Sequence, residues 1–363
     1  MNFVDFTNHT KQLSHTSSGS RKISGSKLSL DQTPFQLSDD VVSAFTAYAA
    51  EHNFIERFME IKNGGICNLT EQRSASHFQC RAEGSDLYED NLKALGAMAE
   101  HINDRYDQVI LFGIGGSFLG PMLLNDAFGT KGKKITFVTG SDPEEYKHLK
   151  DAELSRTAFV LASKSFSTIE TLSSYEYIAG QECLPDTYAI TALPEKAQAY
   201  GIPENQILSL DINTGGRFSI WSGINLAFCL CHGLEAYKEF LKGGAQADAH
   251  AIKELSDNPA LSLAMQDVYA NNVLGMETSL LLNYDWKLRN FYQYAQQLDM
   301  ESLGKSVKHE DGTPLEYQTG MIVWGGFGPR SQHSFYQHVF QGTKDTNLYV
   351  IATENEHLNY KQF

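Results

Sequence analysis

The sequence predicts an α/β fold in which parallel sheets are covered by helices. Short apolar runs rich in β-branched residues recur after residue 107, helix-compatible segments separate them, and glycine or serine follows several runs directly. A parallel strand is buried on both faces, so it reads as a continuous apolar run rather than as an alternation. With 363 residues, the chain is long for a single core and suits two domains.

Residues 1–95 are predicted to form an N-terminal arm and helices. Residues 10–32 are rich in Ser, Lys, Gly and Thr, which is typical of a loosely ordered arm that could lie on the body of the protein. Residues 38–62 follow a helical pattern. Thr70 is a candidate N-cap for a further helix within residues 68–81.

Residues 96–245 are predicted to form a first α/β domain and residues 246–363 a second one. The strands expected in the first domain lie in the stretches "QVILFGIGGS", "KITFVTG", "TAFVLASKS", "TYAITAL" and "QILSL". Helical patterns dominate after residue 221, and "TGMIVWGGFG" near residue 320 predicts another strand that leads into a loop.

Composition argues against several classes of partner. The net charge is −15, from 29 Lys and Arg against 44 Asp and Glu, which disfavours nucleic acid and acidic membranes as partners. We see no signal peptide and no apolar stretch long enough to span a bilayer. The five cysteines are odd in number and form no CxxC pair, so reduced thiols in a cytoplasmic protein are expected.

A glycine-rich turn, "GIGGSFLGP" at residues 113–121, lies where a strand ends and a helix is expected to begin. Its backbone N–H groups and the helix N-terminus favour an anion. The dinucleotide fingerprint GxGxxG is excluded because Phe118 occupies its last glycine position. Ligand contact and a purely structural βα turn are both compatible with this pattern.

The stretch "ASKSFSTIET" at residues 162–171 also follows an apolar run. Ligands of open α/β sheets bind at the carboxyl ends of the strands, and hydroxyls around an ammonium suit a phosphate. The polar side chains here are Ser163, Lys164, Ser165, Ser167 and Thr168. A serine-rich helix cap is the alternative, and Glu170 fits orientation of a neighbour better than phosphate binding.

Three further residues have side chains that could take part in catalysis, but each is ambiguous when taken alone. Arg217 follows two glycines and could stabilise an oxyanion or form a structural ion pair. Glu301, in "QLDMESLGKS", could be a base or an acid on a solvated helix face. His333 lies among aromatic residues, as does His338, and a lone histidine is more often structural.

The end of the Glu301 stretch also imitates a phosphate loop. Residues 304–306 read Gly-Lys-Ser, but Asp299 stands where the motif needs its first glycine, so this interpretation fails.

In this order, six stretches resemble the glucose-6-phosphate isomerase (phosphoglucose isomerase) family. They are "NLTEQR", "GIGGSFLGP", "SKSFSTIET", "GGRFSIWSG", "QQLDMESLGK" and "QHSFYQHVFQGT", and they span residues 68–343. The resemblance implies two sugar-isomerase-type (SIS) domains, the second truncated. It also implies interconversion of glucose 6-phosphate and fructose 6-phosphate, as in glycolysis and gluconeogenesis, without a metal or an organic cofactor.

The resemblance implies a role for each matching residue. Phosphate binding falls to Ser163, Lys164, Ser165 and Thr168. The sugar site is implied for Gly116, Ser117 and Gln297.

Three residues carry the implied chemistry. Glu301 is implied as the base that moves a proton between C2 and C1, and Arg217 as the group that stabilises the enediolate. His333 is implied to help ring opening from the neighbouring subunit of a homodimer.

The chain also departs from the family pattern. Leu303 replaces an asparagine, Gly326 an acid, residues 329–331 a Thr-Asn-Gly stretch, and Phe340 a second histidine. Lys361 lies in an unrelated tail, so no lysine matches the family's ring-opening lysine. The alternative hypothesis is therefore a catalytically weak or inactive sugar-phosphate-binding relative. An isomerase for another sugar, such as mannose 6-phosphate, is a further alternative.

Overall fold

Two parallel sheets flanked by helices organise the chain, and this confirms the predicted α/β class. They are seen in a computed structural model. It describes residues 1–13, 22–24, 28–32, 35, 37–129, 131–140, 142–150 and 154–353.

The N-terminal region contributes three helices and a small antiparallel pair of strands. These are α1 (Phe3–Thr10), β1 (Lys22–Ser24), β2 (Ser29–Asp31), α2 (Asp39–Glu51) and α3 (Phe54–Lys62). Gln32 is buried and its Nε2 donates to the Ser262 carbonyl at 3.0 Å. The end of the arm at Gln32 thus lies on the body of the protein, and residues 14–21 and 25–27 lie outside the described chain.

The predicted helix within residues 68–81 is wrong. Asn68 and Arg73 exchange backbone hydrogen bonds of 3.0 Å, and Gln72 has a left-handed φ of 53°. These bonds close a tight turn, so Thr70 is not a helix N-cap. Only a 3-10 turn, Gln79–Arg81, forms later in the stretch.

The first large sheet contains the five strands expected from the apolar runs, in the order β4-β3-β5-β6-β7. The strands are β3 (Gln108–Phe112), β4 (Lys134–Val138), β5 (Thr157–Ala162), β6 (Thr187–Thr191) and β7 (Ile207–Ser209). All neighbouring pairs are parallel. The helices of this region are α4 (Asp86–Arg105), α5 (Gly116–Phe128), α6 (Pro143–Lys150), α7 (Ile169–Ile178) and α8 (Pro194–Tyr200).

Alternate residues of β5 enter two separate cores, one on each face of the sheet. Ala158 and Val160 pack with residues of α4, whereas Phe159 and Leu161 pack with residues of α7. All four are at most 1% exposed. Burial on both faces explains why this strand reads as an unbroken apolar run.

The second sheet has three parallel strands among the described residues, in the order β10-β8-β9. These are β8 (Thr278–Asn283), β9 (Ile322–Phe327) and β10 (Asn347–Ile351). The remaining helices are α9 (Leu226–His250), α10 (Pro259–Val268), α11 (Phe291–Leu303), α12 (Gly328–Ser331) and α13 (Tyr336–Gln341). Of the three strands observed in this sheet, the sequence predicts only β9, the one near residue 320; β8 and β10 were not predicted.

The division at residues 95 and 245 stays a prediction, and both positions fall inside helices, α4 and α9. Among the described residues, no helix combines the length and apolar character needed to cross a membrane.

Candidate active site

The glycine-rich turn after β3 brings the start of α5 against the segment that carries Arg217. Gly115 has a φ of 57°, and α5 begins at Gly116. A Cβ on Gly116 would lie 2.0 Å from the Gly216 carbonyl oxygen, so only glycine permits this approach. The Ser219 hydroxyl donates to the Gly116 carbonyl at 2.9 Å and holds the two segments together.

The serine-rich stretch after β5 forms a concave turn in front of α7. The hydroxyls of Ser163 and Thr168 lie 2.9 Å apart, and Thr168 precedes α7 without capping it through its side chain. Buried Phe166 has a φ of 45°, which is unusual for an aromatic residue. Such local strain is often found at functional turns, and here it lets the chain fold back on itself before the helix.

Lys164 is fixed within this turn through its backbone. Its carbonyl accepts hydrogen bonds from the Ala192 amide at 3.0 Å and from the Thr191 hydroxyl at 3.1 Å, and Thr191 is the last residue of β6. Burial, together with the positive charge of Arg73, lowers the pKa of Lys164. An anion at this position would relieve that repulsion.

Arg217 and Glu301 meet across the cleft although they lie in different parts of the chain. Arg217 Nη1 is 3.2 Å from Glu301 Oε1, and Arg217 Nε donates to the Ser302 hydroxyl at 2.6 Å. The Arg217 side chain is 23% exposed and that of Glu301 is 52% exposed. The arginine is therefore held in place, while the carboxylate remains open to a ligand.

One cleft of about 650 Å³ joins these features. Eight of the ten predicted site residues line it: Gly116, Ser117, Ser163, Lys164, Ser165, Thr168, Arg217 and Glu301. The same cleft therefore contains a possible anion site and a carboxylate–guanidinium pair.

The remaining two predicted residues, Gln297 and His333, are not among the residues that line this cleft. Gln297 lies close behind it, because a Cβ on Gly115 would be 3.0 Å from Gln297 Nε2. Its Oε1 is buried and has no hydrogen-bond partner within the described chain. His333 is exposed on the chain that follows α12. The structure thus does not bring His333 to the cleft of its own chain.

The cleft also contains a histidine that sequence reasoning missed. The ring of His77 stacks on Phe218 at 4.4 Å and 9° and is 7% exposed. Burial, reinforced by the charges of Arg81 and Arg217, lowers the pKa of His77 to about 3. His77 is therefore neutral. Its only sequence signal was its place a few residues after "NLTEQR".

Arg73 and Glu71, which also line the cleft, belong to that motif but were not singled out. Among the described residues, no group of three or more His, Cys, Asp or Glu side chains is arranged to hold a metal.

A carboxylate with a guanidinium beside it, in the same cleft as a possible anion site, is an arrangement that would suit isomerisation of a phosphorylated sugar. On parallel α/β sheets, this combination defines the class of sugar-phosphate isomerases. The phosphoglucose isomerase family model matches residues 31–361, and the chain belongs to this family.

Individual relatives agree with this assignment. The chain is 33% identical over 350 residues to the glucose-6-phosphate isomerase of Shewanella frigidimarina. The aligned region covers 87% of this chain and 64% of the relative. It is 33% identical over 375 residues to the enzyme of the same name from Rhizorhabdus wittichii, covering 97% of this chain and 73% of the relative. The chain thus spans less than two thirds of the Shewanella relative.

A solved structure of a glucose-6-phosphate isomerase from Chlamydia trachomatis has a TM-score of 0.84 at 26% identity. That match covers 96% of this chain and 74% of the other.

Proposed function

We propose that this chain catalyses the interconversion of glucose 6-phosphate and fructose 6-phosphate, an aldose–ketose isomerisation used in glycolysis and gluconeogenesis. The observation that carries the proposal is the position of Glu301, 3.2 Å from Arg217 in the cleft that also contains the serine-rich turn. Family membership and the names of the relatives support the choice of substrates.

The phosphate binds at the start of α7 in this proposal. Its ligands are the hydroxyls and ammonium of Ser163, Lys164, Ser165 and Thr168. The α7 N-terminus favours negative charge, and hydrogen bonds to a charged phosphate are the strong kind. This local site solves the problem of holding an anion in a protein whose net charge is −15.

The reacting carbons then lie toward Glu301. Its carboxylate takes the proton from C2 of the open-chain aldose, the C1–C2 double bond forms, and the former carbonyl oxygen takes up negative charge. The proton of the C2 hydroxyl passes to the C1 oxygen, the same carboxyl group returns its proton to C1, and the C2 carbonyl of the ketose forms. Arg217 stabilises the charge of the enediolate. Gly116, Ser117 and Gln297 contact the sugar at the start of α5 and behind it.

The functional unit in this proposal is a cytoplasmic homodimer in which His333 assists ring opening in the partner's cleft. This is supported by the exposure of His333 and by the fact that it is not among the residues that line its own cleft. A shared site of this kind requires a closed, symmetric interface.

A coupled assay tests the proposal: fructose 6-phosphate is added to the purified chain and the formation of glucose 6-phosphate is followed. Glu301→Gln should lower the rate by on the order of 10²–10⁴-fold, because the amide cannot accept the proton. Its affinity for fructose 6-phosphate should stay near that of the wild type.

The matched control is Glu239→Gln, since Glu239 is 75% exposed on α9 and makes only a 3.6 Å pair with Lys242. Turnover by Glu301→Gln at the control rate would remove Glu301 from the mechanism. Tight binding of fructose 6-phosphate by the wild type without turnover would instead support the inactive, sugar-phosphate-binding alternative.

A further inference from the structure

The cleft contains a second arginine, Arg73, on the wall next to the serine-rich turn. Arg73, Glu71 and Lys164 all line the same 650 Å³ space. No role followed for Arg73 from the sequence, and the mechanism above does not use it.

The backbone presents Arg73 in a fixed position. Its amide donates to the Asn68 carbonyl at 3.0 Å, and its own carbonyl accepts from the amides of Asn68 at 3.0 Å and Cys67 at 3.1 Å. The preceding residue, Gln72, has a φ of 53°. A positive φ costs free energy for residues other than glycine, asparagine and aspartate. Such a conformation persists where the surrounding hydrogen bonds require it. The turn therefore holds Arg73 at one place on the cleft wall.

The guanidinium of Arg73 is only loosely neutralised. Its Nη1 is 3.5 Å from Glu71 Oε2, and the two side chains are 34% and 53% exposed. The same Glu71 oxygen accepts a hydrogen bond of 3.1 Å from Asn68 Nδ2. A single, long and solvated contact of this kind is weak, so an anion of higher charge can replace it.

The charges of Arg73 and Glu71 both reach Lys164. The arginine lowers the pKa of Lys164 and the glutamate raises it, so the three groups share one electrostatic environment. A phosphate placed against Lys164 is therefore within the field of Arg73, and it is repelled by Glu71.

We infer that Arg73 is a second ligand of the substrate phosphate and that Glu71 competes with the phosphate for it. This inference rests on the proposed function, since it assigns a further residue to the same phosphate site. The guanidinium fork suits the two oxygens of a phosphate monoester, and displacement of Glu71 makes phosphate binding an exchange of one anion for another. Arg73 and Lys164 then favour substrate binding, and Glu71 opposes it.

Titration calorimetry with inorganic phosphate tests the inference without relying on catalysis. Arg73→Gln should weaken phosphate binding by about 10- to 100-fold, which is the usual range for loss of a charge-assisted hydrogen bond. Glu71→Gln should change affinity in the opposite direction and tighten binding by about two- to tenfold, because a repulsive charge is removed. In the double variant, the gain from Glu71→Gln should become smaller.

Arg156→Gln is the matched control. Arg156 carries the same charge but pairs with Asp107 at 2.7 Å. Asp107 directly precedes β3 and Arg156 directly precedes β5, so this pair lies at the amino end of the sheet. This variant should bind phosphate as the wild type does. A loss equal to that of Arg73→Gln would mean that net charge alone is responsible, and would overturn the inference.

Failure of this inference can be distinguished from failure of the proposed function. If Lys164→Gln weakens phosphate binding while Arg73→Gln does not, the phosphate site stands and Arg73 is not part of it. If neither variant changes the affinity, the proposed phosphate site itself is wrong, and the inference falls with it.

Kinetics provide a second measurement. Arg73→Gln should raise KM for fructose 6-phosphate in line with its loss of phosphate affinity. The value of kcat should stay within about threefold of the wild type, because the lost contact binds the substrate and the transition state equally. Arg73→Lys keeps the charge without the fork and should give an intermediate KM. A fall in kcat at unchanged phosphate affinity in both variants would overturn the assignment. Unfolding midpoints of each variant establish that the comparison is made between folded proteins.

Discussion

Gly116 marks the closest approach between α5 and the segment that carries Arg217, and its substitution offers a sharp test of the site's geometry. In Gly116→Ala, the new methyl group would lie 2.0 Å from the Gly216 carbonyl oxygen and 2.3 Å from its carbonyl carbon. Both are backbone atoms, so no side-chain rotation can relieve the contact. The α5 N-terminus must therefore move away from the chain at residues 216–217.

The size of this movement follows from the contact distances. Contacts under 3.0 Å are essentially never made by a Cβ, so the 2.0 Å separation must increase by about 1 Å. Overpacking of this kind costs about 1–3 kcal/mol of the free energy of unfolding. Because a 1 Å displacement in an active site costs on the order of 10²-fold in rate, kcat/KM for fructose 6-phosphate should fall by about that factor.

Urea unfolding and the coupled assay measure the two effects. Gly216→Ala is the matched control for stability, because a Cβ on Gly216 would meet nothing within 4 Å although it lies on the other side of the same contact. We expect its free energy of unfolding to stay within about 0.5 kcal/mol of the wild type, as for other uncrowded positions.

Equal stability of Gly116→Ala and Gly216→Ala would refute the close approach on which this reasoning depends. A destabilised Gly116→Ala protein with wild-type kcat/KM would refute the link between this contact and the position of Arg217.

Three further predictions concern the phosphate site, pH and assembly. Lys164→Ala combined with Thr168→Ala should weaken the binding of inorganic phosphate and of fructose 6-phosphate alike, as measured by calorimetry. A loss of affinity for fructose 6-phosphate alone would contradict a phosphate site that both ligands share. Burial raises the pKa of Asp267 from its ordinary 3.8 to about 6, so the native protein binds a proton that the unfolded chain lacks, and stability falls as pH rises between these values. Asp267→Asn should abolish that fall and raise the free energy of unfolding at pH 7 by up to about 3 kcal/mol, since its Oδ1 can still accept from Tyr349; an unchanged pH profile in urea unfolding would contradict this. Mixed Glu301→Gln and His333→Ala chains should recover activity that neither has alone, and no recovery in an exchanging dimer would exclude a shared site.

The strands of the first sheet could be predicted because burial on both faces leaves one pattern in the sequence. β5 is the clearest case: every one of its six residues is buried. β8, "TSLLLN", was missed because a short apolar run after helical segments does not distinguish strand from helix. β10 was missed because it begins with a buried asparagine, whose side-chain amide donates to Asp267 at 2.8 Å.

The candidate site was predictable to the extent that it lies at the ends of strands. Lys164 and Gly116 follow β5 and β3, and the carboxyl ends of neighbouring parallel strands meet at one edge. Glu301 gave no such signal, because it lies near the end of α11 and meets Arg217 only through tertiary packing. The place of His77 in the site also depends on stacking against Phe218, which no local pattern encodes.

Under the proposed function, the charges around the cleft determine how an acidic protein would orient an anion. Each of the two arginines that line the cleft has a carboxylate nearby, Arg217 with Glu301 at 3.2 Å and Arg73 with Glu71 at 3.5 Å. Lys164 has no such ion pair among the described residues, so its charge is the least neutralised in the cleft. A sugar phosphate should therefore direct its most negative group toward Lys164. That orientation leaves the reacting carbons for the Arg217–Glu301 end, where a full negative charge appears only as the enediolate forms. In the proposed mechanism, Arg217 is held by Glu301 and by Ser302, so it adds little to ground-state binding, and its stabilising effect is reserved for the charge that develops during the reaction.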